Sequence, residues 1–429
     1  MKKKHLPILL FLPIILFFTY NLPFVRSRLD WRIGELRAKV KYALSPPEQI
    51  MFQPKQQADA PAAPSPILPA SPTATLPPAT ANKVEETTPL PTTTPTTTPT
   101  PLPDNIQLKE VRYERQGWNN CGPATLAMAL SFWGWKGDQY KIAPFTKPNA
   151  QDKNVMPYEM TDYVNSETEL RSLSRSAGDL ALLKQLIASG FPVIIEKGFE
   201  GPKFDGWMGH YELITGYDDG KQQVTAQDSY MGPDLVLSYS AIESYWRAFD
   251  GTYIIVYPAD LESEVIALLG QQADEKYNRQ YAYQKAVDEI PALSGRDQFF
   301  ALFNKGTSLV ALLDYQEAAS AYDQAFALYP SIPEKERPWR MMWYQTGPYW
   351  AYYYTGRNQD VIDLATKTLD NMSEPILEES FYWRGLAYEA LGDQANAIQD
   401  YQMSQKVHPG FLPAVDQLKR LGIEVKTLE

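Results

Sequence analysis

The chain has 429 residues, a length that predicts two or three domains. Its net charge of −11 argues against a nucleic-acid partner, because no basic segment with interleaved aromatic residues offsets the negative charge. A single cysteine excludes an internal disulfide bond.

An uncharged apolar segment follows the lysines at the N-terminus. Residues 6–25 carry no charge and are long enough to span a bilayer as a helix. No small-residue cleavage site or lipobox cysteine follows them, so residues 1–25 are predicted to be an uncleaved signal anchor that attaches the chain to a membrane. Residues 26–44 interleave basic and apolar side chains, which predicts a basic juxtamembrane helix that either lies on the membrane surface or is solvated.

Residues 45–103 are predicted to be a disordered linker rich in proline and threonine. They show no apolar periodicity, and residues 87–101 are almost entirely proline and threonine. Such a segment cannot build a core and favours extended, polyproline-like conformations. The basic residues after the apolar segment favour a cytoplasmic location for the rest of the chain. Stalks of this composition are typical of the cell exterior, however, so we expect a single-pass protein with its domains on the extracytoplasmic side.

Residues 104–258 mix helical and strand patterns, which predicts an α+β domain. An apolar helix is predicted to begin at or just after Cys121 and to end at Gly134. Segment 198–209, rich in glycine and aromatic residues, is either a lid or substrate subsite over the cleft or a plain surface connection. The remaining predicted elements are helices near 139–143, 158–164, 177–190 and 240–249, and strands near 106–113, 192–196, 207–218, 222–228 and 252–257.

Cys121 stands where a catalytic nucleophile would lie. The partial positive charge at a helix N-terminus favours the thiolate and lowers the pKa of a cysteine. Of the three histidines, His5 lies in the targeting segment and His408 at the end of a helical repeat, which leaves His210 as the proton acceptor. One cysteine and one usable histidine are too few soft ligands for a zinc site, and no phosphate-binding glycine-rich loop occurs. No metal or cofactor is therefore expected.

Two further side chains complete the predicted catalytic site. Asp228 closes the strand that follows His210 and can orient its imidazole ring. Gln116, five residues before Cys121, can donate a side-chain N–H to a developing oxyanion beside the Cys121 backbone N–H. The predicted nucleophile, base, orienting acid and oxyanion donor are thus Cys121, His210, Asp228 and Gln116.

The order and surroundings of these residues resemble a known family. Gln-x4-Cys-Gly-Pro-Ala at 116–124, Gly-His-Tyr at 209–211 and an aspartate closing the next strand resemble the papain-like bacteriocin-leader (double-glycine) cysteine peptidases. The resemblance covers residues 106–258. It implies a papain-like α+β fold, in which a helix carrying the nucleophile faces an antiparallel sheet carrying the histidine and the aspartate.

This chain departs from the family pattern at two positions. The gap from Gln116 to Cys121 is one residue shorter than the family spacing, and Ser229 follows Asp228 where the family commonly has proline. Asp218 and Asp219 are the alternative candidates for the orienting acid.

Residues 259–429 are predicted to be helical repeats. Small and aromatic residues recur at the spacing of tetratricopeptide repeats in two segments, 302–330 and 381–409, and 347–371 looks like a degraded repeat between them. The resemblance to tetratricopeptide repeats implies a surface that binds a protein partner or the substrate. An aromatic block in the middle repeat is predicted to be core rather than a binding face: Trp343, Tyr349, Trp350, Tyr352, Tyr353 and Tyr354.

These observations predict a membrane-anchored cysteine peptidase that hydrolyses peptide bonds through a Cys-His-Asp triad, fused to helical repeats. Two alternatives remain open: a non-catalytic peptide-binding or adaptor protein on a papain-like shell, and an amide transferase that uses the same triad. The chain contains no transporter or ATPase pattern, so the double-glycine specificity of transporter-linked members is not expected.

Overall fold

The computed structural model describes residues 23–47, 52–55, 101–201 and 206–425. Within these ranges no helix is both long and apolar enough to cross a membrane. The predicted signal anchor lies outside them except for residues 23–25, which begin helix α1, Pro23–Leu44. The described chain forms an α+β unit that ends at Pro258, followed by a helical unit.

The core of the α+β unit is a 7-stranded antiparallel sheet, counted over the described residues. Its strands are β1 Asn105–Gln107, β2 Leu170–Arg175, β3 Val193–Phe199, β4 Met208–Asp218, β5 Gln223–Asp228, β6 Gly232–Ser238 and β7 Tyr253–Pro258. They lie in the order β2-β7-β3-β4-β5-β6, and β1 pairs with the end of β4. Strand β2 escapes prediction because it pairs on one side only and its half-buried, largely polar residues show little alternation.

Helices pack on this sheet and place the predicted nucleophile against it. They are α2 Cys121–Phe132, α3 Gln139–Thr146, α4 Pro157–Glu167, α5 Leu180–Ala188 and α6 Tyr239–Arg247. Residues 122–130 of α2 are all buried, and they pack with Ile194, Leu213 and Ile254 of the sheet. A helix that is apolar on every face belongs inside a protein, which explains why α2 lacks a polar stripe.

The helical unit consists of antiparallel helix pairs. Its helices are α7 Glu262–Leu269, α8 Glu275–Glu289, α9 Gly295–Ala311, α10 Tyr315–Leu328, α11 Gly347–Tyr354, α12 Asn358–Asn371, α13 Glu378–Ala390, α14 Gln394–Val407 and α15 Leu412–Arg420. Two glycines permit close approach within the pairs, since a Cβ on Gly306 or Gly385 would lie 2.6 or 2.7 Å from a tyrosine ring of the next helix. The predicted degraded repeat corresponds to the pair α11 and α12.

Adding a methyl group at Gly385 is expected to destabilise the helical unit. In Gly385→Ala the new Cβ would lie 2.7 Å from Tyr401 and 3.2 Å from the carbonyl of Ala397. Overpacking of this kind costs about 1–3 kcal/mol, and the better helix propensity of alanine offsets about 1 kcal/mol. We expect the free energy of unfolding in urea to fall by up to about 2 kcal/mol. Gly220→Ala is the matched control, because its Cβ makes only an ordinary 3.4 Å contact with Asp218; equal effects at both positions would contradict the packing argument.

The two units share one apolar core. Trp207 is only 1% exposed and packs against Phe249 of the α+β unit and Phe300 of the helical unit. Arg340 Nη1 also donates a 2.7 Å hydrogen bond to the Trp207 carbonyl. For 198–209 either a lid or substrate subsite or a plain surface connection was expected; Trp207 is instead a core residue that fixes the two units together. Residues 202–205 lie outside the described residues.

Segments before the α+β unit also pack on the helical unit. In α1, Lys41 Nζ donates to the carbonyl of Met372 at 2.5 Å, and Tyr42 packs edge-on against Trp339. Phe52 is buried against Phe326 and Tyr352, with ring centroids 5.1 and 6.2 Å away.

These contacts correct two predictions. The C-terminal part of the helix predicted for 26–44 contacts protein, where a membrane surface or solvent was expected. Residues 52–55, predicted as part of the disordered linker, dock on the repeats, because Phe52 fills an apolar gap and Lys55 forms an ion pair of 2.6 Å with Asp363. Residues 56–100 of the predicted linker lie outside the described residues.

The aromatic block of the middle repeat is largely core, as predicted. Tyr349 and Tyr352 are fully buried and Trp343 is buried. The other members are half-buried and surround Trp383. Packing explains this cluster, and it offers no open aromatic binding face.

Candidate active site

Cys121 is the first residue of α2, where the sequence places it. The turn before it is held by the neighbouring helix α3 and the loop that follows. Gln139 Oε1 accepts hydrogen bonds from Gly117 N at 2.6 Å and from Asn120 Nδ2 at 3.1 Å. Lys147 Nζ donates to the carbonyl of Asn119 at 2.8 Å. The thiol therefore sits at a helix N-terminus on a fixed turn, a position that favours the thiolate.

His210 lies near the start of β4 and is 3% exposed. Its Nε2 is 3.1 Å from Asp228 Oδ1, and its ring stacks on Phe199 with centroids 4.6 Å apart. Because Nε2 faces the carboxylate, Nδ1 is the nitrogen left for the hydrogen bond with the Cys121 thiol. The imidazole is thus held between a thiol and a carboxylate, as proton transfer requires.

Asp228 ends β5 and is fully buried. Its Oδ1 accepts hydrogen bonds from the backbone N–H groups of Tyr230 at 2.6 Å and Met231 at 2.8 Å, which fix the carboxylate toward His210. The alternative acids face elsewhere. Asp218 pairs with Lys221 at 2.6 Å, and Asp219 pairs with Lys184 at 2.9 Å.

The charges of this cluster favour a thiolate–imidazolium pair. Burial raises the pKa of Cys121, but the hydrogen bond and charge of His210 outweigh it and bring the pKa below the ordinary 9.0. Burial lowers the pKa of His210, yet the charge and hydrogen bond of Asp228 raise it to about 10. Burial also opposes ionisation of Asp228, and His210 overcomes this and holds the pKa of Asp228 well below its usual value. The imidazolium and the thiolate therefore stabilise each other.

Gln116 is tied to the strand end that carries Asp228. Its Oε1 accepts a 2.9 Å hydrogen bond from Ser229 Oγ, and its backbone N–H donates to the Ser229 carbonyl at 2.9 Å. Ser229 stands where the family commonly has proline. Its hydroxyl therefore forms a hydrogen bond with Gln116 that a proline side chain could not form. With Oε1 engaged, the amide N–H groups are the side-chain atoms left to donate; the oxyanion role of Gln116 stays a prediction.

Two buried charged residues beside the triad were missed in the sequence. Glu212 is fully buried and lies two residues after His210 in β4, on the same face of the sheet. Its Oε1 lies 2.8 Å from Lys197 Nζ. One imidazole nitrogen of His210 and one carboxylate oxygen from each of Glu212 and Asp228 lie within 4.8 Å of one another. Within the described residues Asp228 Oδ2 has no N–H or hydroxyl donor, which leaves a protonated Glu212 as its hydrogen-bond donor. Burial raises the pKa of Glu212 to about 7, with Lys197 opposing and Asp228 reinforcing the shift, so near neutrality Glu212 can hold a proton for Asp228.

Glu212 is expected to position Asp228, and its replacement by leucine should lower kcat/KM for peptide hydrolysis about 10- to 100-fold. That range corresponds to loss of a hydrogen bond to a charged group, worth about 1.5–3 kcal/mol. Glu212→Gln keeps a donor for Asp228 and an acceptor for Lys197, so it should stay within a few-fold of the wild type.

Because Glu212→Leu leaves Lys197 buried without its acid, the double variant Glu212→Leu/Lys197→Met serves as the folding control. The pH dependence of thiol alkylation provides a second readout that a purely structural role would not change. A folded leucine variant with wild-type kinetics and pH profile would contradict the assignment.

Models of two known families match ranges of this chain. The model of the Peptidase C39 like family matches residues 108–254, and the tetratricopeptide repeat model matches residues 300–331 and 379–410. Both predicted repeat segments lie inside the matched ranges. A comparison with curated proteins found no match.

Two solved structures are similar to part of this chain. A crystal structure of a C39-like protein from Bacillus anthracis is 17% identical, with a TM-score of 0.30, and the match covers 35% of this chain and 96% of that one. The peptidase domain of Streptococcus ComA, a bi-functional ABC transporter involved in a quorum sensing pathway, is 19% identical with a TM-score of 0.29, over 34% of this chain and 98% of that one. From the family models, the chain carries a peptidase C39-like domain, residues 108–254, joined to tetratricopeptide repeats.

Proposed function

We propose that this chain is a cysteine peptidase that hydrolyses peptide bonds. Cys121 attacks the peptide carbonyl as a thiolate, and the C–N bond breaks as His210 passes its proton to the leaving amine. Water then gives a proton to His210 and hydrolyses the thioester, which releases the acid and restores the thiolate. Asp228 orients the imidazolium and stabilises its charge. Gln116 and the backbone N–H of Cys121 stabilise the oxyanion of the tetrahedral intermediate.

The observation that supports this proposal most strongly is the buried contact between His210 and Asp228 beside the helix N-terminus of Cys121. The two side chains are 3.1 Å apart and are 3% and 0% exposed. A free cysteine in an apolar core has no such base beside it, and its pKa is raised rather than lowered. Here the pKa of Cys121 is lowered despite its burial, mainly because of His210. A non-catalytic adaptor would have no need of this arrangement.

In this proposal the helical repeats bind the substrate or a protein partner, and the apolar N-terminal segment anchors the chain in a membrane with the domains outside the cytoplasm. The contacts of α1 with the repeats support this proposal, because they hold the helical unit close to the C-terminal end of the apolar segment. Digestion of intact cells by an added protease tests the orientation: the repeats should be cut without permeabilisation.

A peptide library tests the catalytic proposal directly. The full-length chain is incubated with proteome-derived peptides, with and without an added amine, and new termini are identified by mass spectrometry. We expect new carboxyl termini from the wild type and none from Cys121→Ala. Products that carry the amine would indicate transfer instead of hydrolysis, and identical termini from both proteins would contradict the proposal.

A further inference from the structure

We propose that Asp152, Glu378 and His408 form a binding site for one Zn²⁺ ion between the C39-like domain and the repeats. A ligand atom from each of the three residues lies within 4.8 Å of the other two. Asp152 lies in the loop between α3 and α4, Glu378 begins α13, and His408 directly follows α14. The site therefore requires both units of the chain, and it is separate from the catalytic histidine.

The three side chains already converge without a cation between them. His408 Nδ1 lies 2.7 Å from Glu378 Oε1, and their side chains are 12% and 5% exposed. Asp152 is 1% exposed, and its Oδ1 accepts a hydrogen bond from the backbone N–H of Asn154 at 3.0 Å. Imidazole nitrogen and carboxylate oxygen are both ligands that Zn²⁺ accepts.

A neighbouring buried carboxylate also lacks a positively charged partner. Glu379, next to Glu378, is 7% exposed and forms no hydrogen bond or ion pair with another residue in the described part of the chain. Buried carboxylates are normally paired or bound to a metal ion, and this one lies beside Glu378 in the chain.

Nearby lysines do not supply the positive charge directly. Lys147 Nζ donates to the backbone carbonyls of Asn119 and Asp152, at 2.8 and 2.9 Å, and Lys153 Nζ lies 3.4 Å from Ser373 Oγ. Within the described residues, no lysine or arginine forms an ion pair with Asp152, Glu378 or Glu379. A divalent ion bound by these carboxylates would supply that charge.

The donor set selects the metal. Ca²⁺ and Mg²⁺ prefer oxygen ligands alone, but an imidazole with carboxylates suits Zn²⁺. Three protein ligands with water in the fourth position make a tetrahedral site.

The site lies close enough to influence the catalytic turn. The ammonium group of Lys147 donates hydrogen bonds to the backbone carbonyls of both Asp152 and Asn119. Asn119 is two residues before Cys121. Zn²⁺ at Asp152 would therefore fix both the repeats and the loop that supports the nucleophile.

Zinc binding can be measured on the full-length chain carrying Cys121→Ser, which removes the only thiol. The protein is stripped with EDTA, desalted and titrated with Zn²⁺ against a chromogenic chelator. We expect one Zn²⁺ per chain, little competition from Ca²⁺, and a higher thermal unfolding midpoint with Zn²⁺. Glu378→Gln and His408→Ala should each weaken binding by about 10- to 100-fold or more, whereas the exposed Glu424→Gln should not.

Circular dichroism establishes that each variant is folded, and Glu378→Gln, nearly identical in shape, covers the case in which His408→Ala does not fold. An absence of Zn²⁺ binding would overturn the proposal and would mean that protons alone neutralise these carboxylates. Binding unchanged in folded Glu378→Gln, or binding lost with His210→Ala, would also overturn it, since the ion would then lie elsewhere.

Discussion

His210→Ala is expected to lower kcat/KM for peptide hydrolysis by about 1,000-fold or more. The substitution removes the group that accepts the Cys121 proton and returns it to the leaving amine, and general acid–base catalysis alone contributes about 100- to 10,000-fold. It also removes the positive charge that offsets the burial of the thiol, so the pKa of Cys121 should rise above its wild-type value. Fewer molecules would then carry the thiolate at neutral pH.

Two further variants test whether His210 acts through Cys121: Cys121→Ala and the double variant His210→Ala/Cys121→Ala. Residues that act as one catalytic unit are not additive, so the double variant should be no less active than Cys121→Ala alone. Steady-state kinetics on one peptide from the library provide the comparison. A His210→Ala protein that is folded and retains most of its activity would remove His210 from the mechanism.

Asp228→Ala is expected to lower kcat/KM about 100-fold or more and to narrow the pH range of activity. In the wild type the thiolate–imidazolium pair forms as pH rises through the lowered pKa of Cys121 and is lost as pH rises through the pKa of His210, about 10. Without the Asp228 charge, burial lowers the pKa of His210. The alkaline limit of activity should therefore move to lower pH.

Two variants separate charge from orientation in this prediction. Asp228→Asn keeps an oxygen that can accept from the imidazole N–H but removes the charge, so it should be less impaired than Asp228→Ala and still show the shifted alkaline limit. Asp218→Asn is the matched control, because Asp218 pairs with Lys221 on the surface. If Asp218→Asn changed the profile and Asp228→Ala did not, the assignment of the orienting acid would be wrong.

The contact between His210 and Asp228 was predictable because the two residues lie in neighbouring strands, and both strands have a recognisable sequence pattern. Cys121 likewise follows from the apolar helix that begins there. Glu212 was not predictable, since an acid in an apolar strand has no local partner. Its lysine comes from β3, where Lys197 pairs with His210 across the sheet. Only the register of the strands brings these charges together.

The repeats were predictable from small residues at fixed offsets, but the docking of other segments on them was not. Trp207 fills a gap that exists only once the two units meet, and Phe52 does the same within the helical unit. Neither residue has a periodic pattern around it that indicates burial. Contacts between distant segments depend on three-dimensional shape, which composition and spacing do not encode.

Alkylation of Cys121 by an iodoacetamide probe across pH tests the central claim most directly, because it requires no substrate. We expect the thiol of the full-length wild-type chain to react with a midpoint below pH 9.0, the ordinary thiol pKa. In His210→Ala the midpoint should move upward, since burial then acts without the compensating imidazolium. Identical profiles in the two folded proteins would contradict an activated Cys121–His210 pair and the peptidase proposal that depends on it.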